Sequence, residues 1–235
     1  MSQYFVQQIK ARIGETLEGN FFTIALSGGS TPRSVFQYMA NNFREQIEWN
    51  KILVFWSDER CVAPESEESN FRMANESLFE KAPIPANHIF RIKGETEPSE
   101  EAARYAELVQ LNVTPYNEFP EFDFLMLGLG DDGHTASIFP GHQKLFNSDR
   151  FFEVAEHPIT KQKRITATGK LINHARTVAF LVTGENKSEI VAQILERRPG
   201  WEKLPASLVQ PENGELLWLL DEKAAKKLFT PQNKK

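Results

Sequence analysis

Residues 21–33 of this chain read FFTIALSGGSTPR, an apolar run that ends abruptly in a glycine-rich polar turn. The apolar part is short, rich in residues that favour β-strands and almost free of polar alternation, which is typical of a strand buried on both faces. After the turn, apolar side chains recur at helical spacing through residues 35–43. The stretch therefore predicts a buried strand, a tight turn and an amphipathic helix.

The same pattern continues along the chain. Similar apolar runs occur at residues 52–56, 122–129, 178–182 and 216–220. A second helical pattern, at i, i+1, i+4 and i+5, lies at residues 190–195. Buried strands separated by helices indicate a mostly parallel sheet with helices on both faces, so we predict a doubly wound, Rossmann-like α/β fold.

Length and composition limit the classes of protein that fit. The chain has 235 residues and a formal net charge of −5, which argues against a nucleic-acid partner. No apolar run approaches the roughly 18 residues of a membrane span. The single cysteine, Cys61, and the lack of a basic-then-apolar leader fit a cytoplasmic protein. We predict one catalytic domain at residues 1–229, a solvated tail at residues 230–235, and a monomer or homodimer.

Polar segments follow four of the predicted strands, at residues 27–33, 57–60, 130–135 and 183–187. In open parallel sheets, ligands bind beyond the carboxyl ends of the strands. If the four strands are parallel, their polar segments meet at one edge and bring together glycine backbone, hydroxyls, carboxylates, cations and a histidine. This convergence predicts a site for a small polar ligand.

The glycine-rich turn is a candidate anion site. Ser30 or Thr31 is placed to cap the following helix, and Pro32 suits its first position. The adjacent Gly28 and Gly29 would let an anion approach backbone N–H groups at the positive end of the helix. The same residues also fit an ordinary turn with a good cap, and neither a P-loop nor a nucleophile-elbow pattern is complete.

Residues 128–133, GLGDDG, match the G-x-G-x-x-G pattern of dinucleotide-binding proteins. A dinucleotide site fits this segment poorly, because Asp131 and Asp132 would face the pyrophosphate and Pro140 leaves room for barely two helical turns. The segment fits acid–base chemistry better: His134 is a candidate general base, and Asp132 could fix its tautomer.

Three cations and a carboxylate complete the candidate site. Arg60 and Asp58 directly follow a predicted strand, Arg164 opens a short polar run, and Lys187 starts a predicted helix. Arginine can bind phosphate or carboxylate in two-point fashion, although a surface charge cluster also explains the triplet at residues 58–60. The remaining histidines lack the spacing of zinc ligands, so we predict no metal.

Four groups of residues together resemble the 6-phosphogluconolactonase family. They are SGGSTP at 27–32, DER at 58–60 followed by Ser69-Asn70, GLGDDGHTASIFPG at 128–141 and LPAS at 204–207. The related glucosamine-6-phosphate deaminases typically have DEY where this chain has DER, and GHIAFN where it has GHTASI. Both differences favour the lactonase.

The resemblance implies hydrolysis of 6-phospho-D-glucono-1,5-lactone to 6-phospho-D-gluconate, the second step of the oxidative pentose phosphate pathway, without a cofactor. On this reading His134 is the catalytic base and Asp132 orients it. The residues assigned to the substrate and its phosphate are Gly28, Gly29, Ser30, Thr31, Asp58, Arg60, Arg164 and Lys187. Asp58 and Glu59 could instead bind sugar hydroxyls or position Arg60. A deaminase or a non-catalytic sugar-phosphate sensor stays open as an alternative.

Overall fold

The computed structural model of the chain describes residues 1–228, so the predicted tail at residues 230–235 lies outside the described part, as does residue 229. Its strands, in chain order, are β1 Phe22–Leu26, β2 Ile52–Trp56, β3 Asp58–Arg60, β4 Pro115–Tyr116, β5 Phe119–Pro120, β6 Phe124–Leu127, β7 Phe152–Glu156, β8 Lys163–Ala167, β9 Thr177–Val182 and β10 Glu215–Leu220. Its α-helices are α1 Ser2–Glu15, α2 Ser30–Asn42, α3 Asn70–Ala74, α4 Pro98–Asn112, α5 Gln143–Phe146, α6 Gly169–Ile172 and α7 Ser188–Leu195.

The centre of the molecule is a five-stranded sheet in the order β10-β9-β6-β1-β2. Every neighbouring pair in it is parallel. β1, β2, β6 and β9 are buried along their whole length. The predicted parallel sheet is therefore confirmed. The apolar run at residues 122–129 forms only the four-residue strand β6, because the chain leaves the sheet after Leu127 and continues as a loop.

Helices cover both faces of this sheet. On one face, Phe5 of α1 meets Phe124 of β6 edge to face, with ring centroids 5.5 Å apart. On the other face, Phe55 of β2 stacks on Phe90 at 4.9 Å. The hydroxyl of Tyr105 in α4 donates to the carbonyl oxygen of Phe90 over 2.9 Å. Between residues 1 and 228, none of the helices is both long and apolar enough to cross a membrane.

A second sheet, β3-β8-β7, is antiparallel and was not predicted. The triplet Asp58–Arg60, expected as a loop at the edge of the main sheet, is a strand that pairs with β8 and sets Arg60 opposite Arg164. β3 has only three residues and all of them are polar, so the sequence shows no hydrophobic alternation that would indicate a strand. This small sheet places two arginines side by side at the carboxyl ends of the main strands.

Candidate active site

A cavity of about 220 Å³ lies at the carboxyl ends of β1, β2 and β6. Segments from each of the four converging loops and from β8 form its wall. The lining residues are Ser27, Gly28, Gly29, Asp58, Arg60, Asn70, Gly128, Leu129, Gly130, His134, Ala136, Arg164 and Lys187. The structure thus brings seven of the ten predicted site residues to one cavity.

The three other predicted residues lie close by. Ser30 and Thr31 line an adjoining cavity of about 230 Å³, which shares Gly28, Gly29 and Lys187 with the first. The Thr31 hydroxyl lies 2.6 Å from that of Thr183, the residue after β9. The third, Asp132, stands behind His134 and contacts its ring.

The capping prediction for the glycine-rich turn is wrong. Gly29, not Ser30 or Thr31, is the N-cap of α2, and no side chain caps the helix. Gly29 has a φ of +105°, a conformation that favours glycine and lets the helix begin one residue early, at Ser30. The first N–H groups of α2 therefore have no side-chain acceptor, which keeps them available to an anion.

His134 is held from two directions. Its Nδ1 lies 2.6 Å from Asp132 Oδ1, and its backbone N–H donates to the same oxygen over 3.1 Å. A Cβ on Gly130 would lie 2.0 Å from His134 Nδ1, so only glycine leaves room for the ring. Burial alone would raise the pKa of Asp132, but the His134 contacts outweigh it and the pKa falls below its usual value.

The same geometry contradicts the dinucleotide interpretation of residues 128–133. Gly130 provides space for the imidazole ring of His134. Gly133, with a φ of +81°, forms the turn directly before His134. No α-helix follows until Gln143. A dinucleotide fingerprint needs a helix N-terminus directly after its glycines.

The two carboxylates of β3 have different environments. Asp58 lines the cavity and accepts a hydrogen bond from the Ser137 hydroxyl over 2.6 Å. Glu59 points into the protein, where its oxygens accept from the backbone N–H groups of Arg60, Asn70 and Phe71. Burial raises the pKa of Glu59 despite these bonds. Glu59 therefore holds the loop after β3 in place and is not positioned to bind a sugar hydroxyl.

The two arginines of the small sheet carry buried Nε atoms without hydrogen-bond partners. Arg60 Nη1 donates to the carbonyl oxygen of Glu68 over 2.5 Å, so one arm of its guanidinium is already engaged. Burial lowers the pKa of Arg164, and the adjacent Arg60 lowers it further, against the raising effect of Asp58. Two close cations with unmet donors provide a strong site for an anion.

Lys187 directly precedes α7, and its ammonium lies 2.6 Å from Asp131 Oδ1. Asn186 donates to the same oxygen over 2.9 Å. The Lys187 side chain is 19% exposed and that of Asp131 71%. The hydrogen bond from Lys187 lowers the pKa of Asp131, so the Asp131 carboxylate is ionised and forms the ion pair with Lys187.

Sequence reasoning did not assign Asn70, Asp131 or Ser137 to the site. Asn70 is 1% exposed, and its Nδ2 donates to the Asp58 carbonyl oxygen while its Oδ1 has no partner. A Cβ on Gly28 would lie 1.8 Å from that oxygen, which explains the glycine. Asn70 and Ser137 were part of the family resemblance, so that signal was present in the sequence.

Comparison with known proteins adds to this geometry. Residues 1–218 match the family model described as glucosamine-6-phosphate isomerases/6-phosphogluconolactonase. The chain belongs to this family. A 6-phosphogluconolactonase of Aggregatibacter actinomycetemcomitans is 40% identical over 206 residues, or 87% of each chain. The one from Treponema pallidum is 42% identical over 171 residues, or 73% of this chain and 71% of its own.

Solved structures of the family have the same fold. The crystal structure of 6-phosphogluconolactonase from Thermotoga maritima superposes with a TM-score of 0.79 at 29% identity, covering 94% of this chain and 95% of that one. The predicted family and fold class are thereby confirmed, and among the family's members the lactonases, rather than the deaminases, are the relatives favoured by the comparison.

Proposed function

We propose that this protein hydrolyses 6-phospho-D-glucono-1,5-lactone to 6-phospho-D-gluconate. One observation carries the proposal: a histidine fixed by a carboxylate, His134 with Asp132, stands at the wall of a cavity that Arg60, Arg164 and Lys187 also line. A base beside three cations suits an ester that bears a remote phosphate. The relatives named 6-phosphogluconolactonase support the same reaction.

The first step uses the free nitrogen of His134. Because ionised Asp132 can only accept, His134 Nδ1 is the donor in their 2.6 Å contact, and the lone pair of the neutral ring lies on Nε2. Nε2 takes a proton from a water molecule, and the water oxygen forms a bond to the lactone carbonyl carbon, C1. The carbonyl electron pair moves onto its oxygen and gives a tetrahedral oxyanion.

The second step returns the proton. The oxyanion re-forms the carbonyl, the bond between C1 and the ring oxygen breaks, and that oxygen takes the proton from Nε2. The product is the open-chain acid, whose carboxyl group loses a proton to solvent at neutral pH. Because one histidine serves as base and then as acid, no other proton carrier is needed.

The cations and glycine amides would share the negative charges. We assign the phosphate to the first N–H groups of α2 at Gly29, Ser30 and Thr31, together with Lys187, which adjoins the same turn. Arg60 and Arg164 would stabilise the oxyanion, since both side chains line the cavity together with His134. Binding energy from the phosphate then serves to place C1 beside the base.

The direct test follows acid release from freshly prepared lactone at constant pH. We expect saturable turnover well above the spontaneous hydrolysis of the lactone. Binding of 6-phosphogluconate without turnover would instead identify a sugar-phosphate sensor, and release of ammonia from glucosamine 6-phosphate would identify a deaminase. Either result would overturn the proposal.

The proposal extends to the setting of the reaction. We propose that the protein works in the cytoplasm, as one catalytic domain and as a monomer or a homodimer, without metal or other cofactor. The single cysteine supports a reducing compartment. Cell fractionation tests the location, light scattering of the purified protein tests the oligomeric state, and activity retained after chelation tests the metal.

A further inference from the structure

Phe139 packs against two side chains of the candidate active site, His134 and Arg164, and against a histidine outside it, His157. The ring is 1% exposed. Its centroid lies 4.6 Å from that of His134 and 5.0 Å from that of His157. The guanidinium carbon of Arg164 lies 5.6 Å from the same centroid. One aromatic ring is therefore shared by the candidate base, a candidate oxyanion cation and a second histidine.

Phe139 restricts the tilt of the His134 ring, which the other neighbours of His134 leave free. Asp132 holds Nδ1, and Gly130 lies against Nδ1 and Cε1. A single hydrogen bond at Nδ1 still allows the ring to tilt about that bond. The Phe139 ring, inclined at 44° to the imidazole, restricts this tilt and so fixes the direction of Nε2.

For Arg164, Phe139 replaces a missing hydrogen-bond acceptor. The Arg164 Nε is buried and has no partner, and burial lowers the pKa of the side chain. A guanidinium over an aromatic face gains electrostatic attraction that partly offsets the loss of water. An aliphatic side chain at position 139 would give Arg164 no such attraction.

His157 also packs against Phe139. Its ring packs on Phe139 edge to face at 73°, and its Nδ1 accepts from the backbone N–H groups of Ile159 and Thr160 over 3.3 and 3.2 Å. Burial lowers the pKa of His157, as do the charges of Arg164 and His134, so the ring stays neutral and Nδ1 remains an acceptor.

We infer that Phe139 is a positioning residue that sets both the direction of His134 Nε2 and the place of the Arg164 guanidinium. The inference rests on the proposed function, because it assigns these two groups to lactone hydrolysis. It predicts that the aromatic face of residue 139, rather than its volume, determines the rate.

The test compares three variants with the wild-type protein. Phe139→Leu and Phe139→Met keep an apolar side chain but remove the aromatic face, and the second is included because its flexible chain refills the space if leucine prevents folding. Phe139→Tyr keeps the face. Phe152→Leu is the matched control, since Phe152, in β7 of the small sheet, is similarly buried but packs edge to face on Tyr105 of α4. Circular dichroism and thermal melting check folding, kcat and KM are measured with lactone, and calorimetry gives the Kd of inorganic phosphate.

We expect Phe139→Leu and Phe139→Met to lower kcat by about tenfold, from the loss of base orientation. The Kd of phosphate should stay within twofold of wild type, because the phosphate is assigned to the first N–H groups of α2 and to Lys187. Phe139→Tyr should keep at least half of the wild-type kcat. Phe152→Leu should lower the melting temperature and leave both kcat and Kd within twofold.

Two results would overturn the inference: a kcat within twofold of wild type in a folded Phe139→Leu or Phe139→Met variant, or an equal loss in Phe152→Leu. These results differ from a failure of the proposed function. In that case the wild-type protein itself would hydrolyse no lactone, whereas the two results above concern variants of a wild-type protein that does.

Discussion

The two ends of the parallel sheet each carry a polar cavity, and they differ in how their polar groups are satisfied. The cavity at the amino ends of the strands has a volume of about 270 Å³ and is larger than the one at the carboxyl ends, at about 220 Å³. At the amino end, Arg12 pairs with Glu215 over 2.7 Å and Arg176 pairs with Glu121 and Asp123. Both arginines there are paired with carboxylates.

The carboxyl end is different. Among residues 1–228, five buried side-chain polar atoms have no hydrogen-bond partner, and three of them belong to residues that line this cavity: Arg60 Nε, Asn70 Oδ1 and Arg164 Nε. An unmet buried polar group costs about 1–3 kcal/mol of stability, so such groups concentrate where a ligand uses them. Unmet hydrogen-bonding capacity, rather than volume, distinguishes the cavity proposed as the active site.

The largest expected effect comes from the base. His134→Ala should lower kcat by roughly 10²–10⁴-fold, the usual contribution of a general base. Steady-state hydrolysis of fresh lactone, corrected for spontaneous hydrolysis, measures it. Arg176→Met serves as the control from the amino-end cavity and should leave kcat within twofold. An unchanged rate in His134→Ala would refute the base assignment.

Lys187→Met should mainly raise KM. A charge-assisted hydrogen bond contributes about 1.5–3 kcal/mol, which corresponds to a rise of roughly 10–100-fold if Lys187 holds the phosphate equally in substrate and transition state. Lys51→Met, which removes a surface lysine that pairs with Glu48, is the control and should leave KM unchanged. A loss confined to kcat would assign Lys187 to the transition state instead.

Exchanging one arginine at each end of the sheet tests the comparison directly. Arg164→Met removes a buried donor that has no partner and that we assign to the oxyanion, so we expect kcat to fall about tenfold with no loss of thermal stability. Arg176→Met leaves the buried carboxylate of Glu121 unpaired, so stability should fall by about 1 kcal/mol with activity retained. Chemical denaturation and kinetics of both variants measure the two effects, and the reverse outcome would remove the distinction between the cavities.

The smallest expected effect is a pH dependence of stability. Burial and nearby positive charge lower the pKa of His157 below its usual value of about 6.5, so the unfolded chain takes up the proton first. The stability that depends on neutral His157 is present above that value and is lost as the pH falls through the lowered pKa. Melting curves between pH 7.5 and 5 should show a smaller acid loss for His157→Asn, whose Oδ1 can accept the same N–H groups. Parallel curves would contradict this.

The main sheet could be predicted because its strands are short, apolar and bounded by polar turns. Because the strands of the main sheet are parallel, the sequence alone predicts that Gly28, His134 and Lys187 lie at one edge of it. The small sheet could not be predicted, because the polar residues of β3 face a site on one side and an internal hydrogen-bond network on the other. Burial of Glu59 depends on backbone N–H groups that come close only after folding.

The capping error at Ser30 has a similar cause. Serine and threonine are common caps, and the sequence offers both, but the positive φ of Gly29 takes the cap position one residue earlier. The pairing of Lys187 with Asp131 was also beyond the sequence, because the two residues lie 56 positions apart and meet only across the ends of β6 and β9. Contacts between loops depend on sheet order and strand length together.

At Gly130, a single substitution would displace the candidate base and leave the rest of the site in place. A single methyl group at this position would lie 2.0 Å from His134 Nδ1 and would displace the imidazole from Asp132, while the glycine-rich turn, the two arginines and Lys187 would keep their places. We expect Gly130→Ala to bind sugar phosphates and turn them over poorly. Under the proposed function, we expect a single codon change at this position to remove catalysis and to leave binding.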